Sequence, residues 1–96
     1  MHSLSGPDAT RDQVNARRNY LMGLWAGRML GLRDGQLSNY VVEVLVSDSY
    51  EPGPNDVVRK LTRDLDSVGM VISEEEILRQ LKATEKNVRS ELLSTD

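Results

Sequence analysis

Apolar residues recur at three- and four-residue steps near the start of this chain, and this spacing constrains the fold more than any other feature. The repeating positions are Val14, Leu21, Met22, Trp25, Met29 and Leu32. An α-helix completes a turn in about 3.6 residues, so the spacing gathers these side chains on one side. We therefore expect a long first helix whose apolar face is covered by other helices.

Proline and glycine predict where the first two apolar segments begin and end. Pro7 suits the first position of a helix, and Gly31 can supply the left-handed residue that ends it near residue 30. A second segment covers residues 37–50, with Asp34 or Ser38 as its cap. Its sequence YVVEVLV fits helix spacing and strand alternation about equally, because β-branched residues favour strands. The residues alone leave helix and strand open here.

Two more amphipathic helices are predicted after the Pro-Gly-Pro break at residues 52–54. The third covers residues 54–68, with an apolar stripe of Val57, Val58, Leu61, Leu65 and Val68 and charged residues, including Lys60 and Asp64, left to solvent. Ser73 and Glu76 form a capping box for the fourth. Its apolar positions are Ile77, Leu78, Leu81, Val88 and Leu92.

Composition excludes several functional classes. The 96 residues suffice for one domain, and 12 basic against 15 acidic residues give a net charge of −3, which argues against nucleic acid as a partner. The chain has no cysteine, so disulfides and thiol chemistry are excluded. Arginines interrupt the best apolar run, and the N-terminus lacks the features of a signal peptide. We expect a cytoplasmic protein that does not insert into a membrane.

Few residues are candidates for chemistry. The single histidine, His2, has no partner nearby in the sequence, and the acids of residues 74–76 point in different directions around a helix. We therefore expect no enzymatic activity, no metal and no cofactor. Gly23 and Gly27 have the spacing that permits close approach of a neighbouring helix.

The adjacent arginines Arg17 and Arg18 admit two interpretations. Both side chains could be solvated on the polar face of the first helix. Alternatively, they could form a clamp for a carboxylate or phosphate of a partner, since guanidinium groups bind both. The residues alone leave this choice open.

Five stretches, in this order, resemble the zeta subunit family of the alphaproteobacterial ATP synthase. They are ARRNYLMGLWAGRMLGL at residues 16–32, the Val-rich run at 40–46, EPGPNDVVRK at 51–60, DLDSVGMVIS at 64–73 and EEEILRQL at 74–81. The resemblance is continuous from about residue 16 to residue 92. It implies a helix for the second segment, and hence an all-α, compact four-helix bundle with a long first helix.

The resemblance also implies a function. Members of this family bind the catalytic head of the synthase, and inhibitory members insert an N-terminal helical segment that blocks ATP hydrolysis. Here we expect residues 1–15 to be a partly flexible, shortened N-terminal segment and residues 16–96 to be the four-helix domain. The whole chain lacks the phenylalanines of inhibitory members, so inhibition is expected to be weak or lost.

The expected partner-binding residues follow from the same resemblance. They are Arg11, Val14, Arg17 and Arg18. The protein is expected to be a monomer when free. The alternative is a repurposed helical module that binds another protein or, weakly, a nucleotide, without inhibitory action.

Overall fold

Four α-helices follow one another along the residues that the computed structural model describes, which are 7–48 and 53–94. They are α1 (Pro7–Met29), α2 (Asp34–Ser47), α3 (Asn55–Asp66) and α4 (Glu74–Ser94). The longest is α1, with 23 residues. The prediction of an all-α four-helix bundle with a long first helix is confirmed, and the ambiguous YVVEVLV segment is helical.

Helices α1 and α3 end in the same way, each at a glycine in the left-handed region. Gly31 has φ +84° and Gly69 has φ +86°. The amide after each glycine donates back across the last turn, from Leu32 to the Gly27 carbonyl at 2.9 Å and from Met70 to the Leu65 carbonyl at 3.0 Å. These are Schellman motifs. The predicted end of the first helix at Gly31 is confirmed.

The start of α4 is fixed by Ser73. The backbone N–H of Glu76 donates to the Ser73 hydroxyl at 3.1 Å, which is the predicted N-cap bond. The Glu76 carboxylate pairs with Arg79. The capping box is therefore only half formed, because the carboxylate that would close it binds a neighbour one turn along.

Three predictions near the helix ends are wrong. Helix α2 begins at Asp34, one turn earlier than predicted, and neither Asp34 nor Ser38 is its cap, since the N-cap residue is Arg33 without a side-chain bond. Asp34 itself has φ +54°, a conformation that aspartate tolerates better than most residues. Val68 is 51% exposed, because α3 ends at Asp66 and the chain turns away from the core there.

One apolar core joins all four helices. Its buried members are Met22, Ala26, Tyr40, Val44, Val57, Val58, Leu61, Leu65, Ile77 and Leu81. Trp25 and Met29 of α1 are partly buried and pack against this cluster. The predicted apolar face of α1 therefore does face the other helices.

Helices α1 and α2 run antiparallel and approach closely at two glycines. A Cβ atom at Gly23 would lie 3.2 Å from the Val41 Cα, and one at Gly27 would overlap the end of the Leu37 side chain. The predicted role of these small residues in close helix approach is confirmed. Within residues 7–48 and 53–94, none of the helices combines the length and hydropathy that a bilayer-spanning segment requires.

Candidate partner-binding surface

The four predicted partner-binding residues all lie on α1, but the structure divides them into two pairs. Arg11 and Arg17 are exposed. Val14 is completely buried and Arg18 retains only 4% of its accessible surface. Only the first pair therefore presents its side chains at the surface of this conformation.

Arg18 is held inside the bundle by groups from three helices. Its guanidinium lies 3.0 Å from the Glu85 carboxylate of α4 and 3.6 Å from the carboxylate of Asp48, which caps the end of α2. It also donates to the side-chain oxygens of Asn19, at 2.9 Å, and Asn15, at 3.2 Å. A buried guanidinium is tolerated only when its charge and its N–H groups are satisfied. Here the chain itself supplies the carboxylates that a clamp would seek in a partner.

The two carboxylates beside Arg18 respond to it differently. Burial raises the pKa of Asp48, and the Arg18 charge and a hydrogen bond with Asn19 only partly offset this rise. Burial acts in the same direction on Glu85, but hydrogen bonds from Arg18 and Arg89 outweigh it and lower the pKa of Glu85. The partners of Glu85 therefore outweigh the effect of its burial on the pKa, whereas those of Asp48 do not.

Arg17, in contrast, faces solvent. Its guanidinium lies over the Tyr20 ring, 5.5 Å from the ring centroid, and Tyr20 is 40% exposed. Adjacent residues on a helix differ by about 100° in direction, so Arg17 and Arg18 do not converge on one ligand. The two side chains therefore do not form the predicted clamp for a carboxylate or phosphate, nor the nucleotide site that such a clamp would provide.

An outward-facing row of polar and aromatic side chains runs along α1. We call this row the α1 outer face; it consists of Gln13, Arg17, Tyr20 and Arg28, all of which are exposed. The steps of three, four and eight residues between them place these side chains on one side of the helix. The face carries two guanidinium groups and one aromatic ring, residue types that are enriched at protein–protein interfaces.

A second polar network links α2 to α3, and the sequence did not predict it. The Tyr40 hydroxyl donates to the Asp64 carboxylate at 2.8 Å. Lys60 bridges Asp64, at 3.0 Å, and Glu43, at 3.2 Å, and lies 5.1 Å from the centroid of the Tyr40 ring. Burial, and then the bond to Asp64, raises the pKa of Tyr40 well above its usual value. Lys60 and Asp64 were expected to be solvated, and this expectation is wrong.

Beside this network lies an open cleft between α2 and α3, with a volume of about 390 Å³. We call it the α2–α3 cleft; it is lined by Val42, Glu43, Val46, Ser47, Lys60 and Arg63. One signal for it is present in the sequence, since valines at residues 42 and 46 fall on the side of a helix opposite Val44, which is buried. That signal was ambiguous while the segment could still be a strand.

No group of three or more His, Cys, Asp or Glu side chains is arranged to hold a metal within the described ranges 7–48 and 53–94. The acids of residues 74–76 are all exposed, and they lie in the first turn of α4, where they complement the helix dipole. His2 falls outside the described residues.

Comparison with protein families identifies a matching family. The family model described as ATPase inhibitor subunit zeta matches residues 7–91. This match begins at the first residue of α1, so it includes the part of the helix that precedes the motif at residue 16. No curated protein and no solved structure matches the chain significantly.

Proposed function

Because the chain belongs to the ATPase inhibitor subunit zeta family, we propose that it binds the catalytic head of a bacterial ATP synthase and slows ATP hydrolysis there. The observation that carries this proposal is the extent of the family match, which includes the whole of α1. No chemistry by the inhibitor is required. A helix that binds one conformation of a cycling enzyme more tightly than the others stops the cycle at that conformation.

The N-terminal part of α1 is the segment proposed to enter the head. Arg11 is exposed there, and Arg17 extends the same helix with a second exposed guanidinium. A helix laid in a groove of its partner is a common mode of protein recognition. Arginine suits it because its planar group can form two parallel hydrogen bonds with a carboxylate.

Val14 and Arg18 contribute indirectly in this account. Both are buried by the chain itself, and Arg18 ties α1 to α4 through Glu85 and to the end of α2 through Asp48. They therefore fix the direction in which the first turns of α1 leave the bundle. A segment held in its binding geometry loses less conformational entropy on association than a loose one.

Inhibition is proposed to be weak because the segment lacks large apolar anchors. The chain contains no phenylalanine, and the first aromatic residue along the sequence is Tyr20. Buried aromatic anchors dominate the energetics of most protein interfaces. Arg11 and Arg17 can orient the segment, but they supply little of the apolar burial that would keep it bound.

Charge reversal on α1 tests this proposal. Arg17→Glu and Arg11→Glu should each weaken binding of the full chain to the purified catalytic head and reduce its effect on ATP hydrolysis. Arg79→Glu is the matched control, because the Arg79 side chain is 70% exposed and belongs to α4 rather than α1. If the control weakens binding as much as the α1 variants do, the contact surface lies elsewhere.

A further inference from the structure

The solvent-facing side of α2 is unusually poor in charge. The helix contains only two charged residues, Asp34 and Glu43. Val42 is 55% exposed and Val46 is 51% exposed, one turn apart on the same side of the helix. Single exposed apolar residues are ordinary, but Val42 and Val46 are neighbours that line one cleft, where Glu43 is the only acid. Adjacent exposed apolar residues of this kind mark an interaction site.

The opposite wall of the α2–α3 cleft is basic. The Arg63 side chain is 73% exposed, and among the described residues its nearest acid is Asp64, with 3.9 Å between charged atoms. Lys60, in contrast, already bridges Glu43 and Asp64. Arg63 is therefore the positive charge of the cleft that has the most capacity left for a partner, on a chain whose net charge is negative.

We propose that the α2–α3 cleft is a second docking surface, and that its occupant is an acidic amphipathic helix of the catalytic head. This inference rests on the proposed function. An aliphatic side chain of that helix would cover Val42 and Val46, and a carboxylate beside it would pair with Arg63. The groove between two antiparallel helices has the shape that such a segment requires.

This second surface lies on α2 and α3, whereas the proposed inhibitory segment lies on α1. Its proposed role is to add binding energy through a contact that does not itself block the enzyme. Two linked contacts bind more tightly than either alone, since the second forms at a high effective concentration. The cleft would thus offset part of the weakness of an N-terminal segment without aromatic anchors.

The test compares two double variants of the full chain that differ in where the charge is placed. Val46→Glu with Arg63→Glu changes the cleft. Val68→Glu with Arg79→Glu is the matched control, because Val68 is 51% exposed, as Val46 is, and the Arg79 side chain is 70% exposed, against 73% for Arg63. Neither control residue lines the cleft. Thermal unfolding of each variant establishes that it is folded before binding is measured.

The Kd of each chain for the catalytic head shows whether the α2–α3 cleft contributes to binding. We expect the cleft variant to bind at least about tenfold more weakly, the control to bind like the wild type, and Arg63→Lys to retain most of the affinity. Equal Kd values for cleft variant and wild type would overturn the inference while leaving the proposed function in place. Should the cleft variant not fold, Arg63→Glu alone provides the same comparison.

Two other outcomes would also overturn the inference. If the wild-type chain does not bind the head, the proposed function fails, and this surface has no role in it. If sedimentation shows that the free chain dimerises and that Val46→Glu abolishes the dimer, the occupant is a second copy. In that case the dimer interface explains the exposed valines.

Discussion

The Arg18 guanidinium of α1 lies 3.0 Å from the Glu85 carboxylate of α4. The two residues are 67 positions apart in the sequence, and their contact joins the two helices. Arg18 is almost completely buried. A buried charge of this kind is costly to leave unpaired, so removal of either partner exposes that cost. The first half of α1 is therefore fixed to the bundle by one charged side chain as well as by apolar packing.

Arg18→Ala should lower the free energy of unfolding by about 3 kcal/mol, since it leaves the Asp48 and Glu85 carboxylates without their shared cation. Arg17→Ala is the matched control, one residue away on the same helix. Its loss removes only an exposed contact with Tyr20, which is worth less than about 1 kcal/mol. Urea unfolding of the two variants measures the difference. Similar values would show that Arg18 is not buried.

Glu85→Gln should lower stability at neutral pH, by about 1 kcal/mol, and Asp48→Asn should lower it less or raise it. The pKa of Glu85 is lowered from 4.5, so its contribution is present above that value and is lost as the pH falls through the folded-state pKa. The pKa of Asp48 is raised from 3.8, so its contribution is complete below that value and is lost as the pH rises.

Unfolding curves recorded between about pH 3 and pH 7 test the predicted pH dependence of both contributions to stability. Glu85→Gln should flatten the loss of stability on acidification, whereas Asp48→Asn should make that loss steeper, because wild-type Asp48 gains stability as the pH falls. The two pKa directions are contradicted if Asp48→Asn flattens the loss of stability at low pH and Glu85→Gln does not.

Gly23→Ala should destabilise the protein by about 1 kcal/mol. The added Cβ would lie 3.2 Å from the Val41 Cα, and a backbone atom cannot yield as a flexible side chain can, so α1 and α2 must separate. This cost of overpacking, typically about 1 to 3 kcal/mol, exceeds the gain of about 1 kcal/mol in helix propensity. Gly35→Ala is the control, because its added Cβ would have no atom within 4 Å apart from its chain neighbours and the local backbone of α2. If the Gly23→Ala variant is as stable as the Gly35→Ala control, the helices α1 and α2 lie further apart than this distance implies.

Ser73→Ala should cost about 1 kcal/mol through the loss of the N-cap bond to the Glu76 amide. Ser73→Asp should retain most of the stability, because a carboxylate accepts the same bond and complements the helix dipole. Thermal unfolding measures both variants. A neutral Ser73→Ala result would move the start of α4 away from Ser73.

Local chemistry was enough to predict much of the fold. Glycine tolerates a positive φ without a steric penalty, so Gly31 gave the end of α1, and the hydroxyl of Ser73 gave the start of α4. The type of α2 could not be derived in this way. Its valines fit both the period of a helix and that of a strand. The helix is favoured by tertiary contacts, namely the close packing of α2 on Gly23 and the hydrogen bond between Tyr40 and Asp64.

The site was harder to predict, because neighbouring residues with identical side chains received opposite environments. Arg17 and Arg18 are chemically the same, and only the phase of the helix separates them. One signal was present in the sequence: Arg18 lies four residues after Val14 and four before Met22, on the apolar stripe. Its partners Asp48 and Glu85 are distant in sequence, so no local pattern could identify them.

The most direct test of the account is ATP hydrolysis by the purified catalytic head of an alphaproteobacterial synthase, titrated with the full wild-type chain, with co-purification measured on the same samples. We predict that the chain binds and that the rate falls saturably to a residual value above zero. An unchanged rate without binding would contradict the proposed function. Binding with an unchanged rate would contradict inhibition alone and leave a subunit that docks on the head.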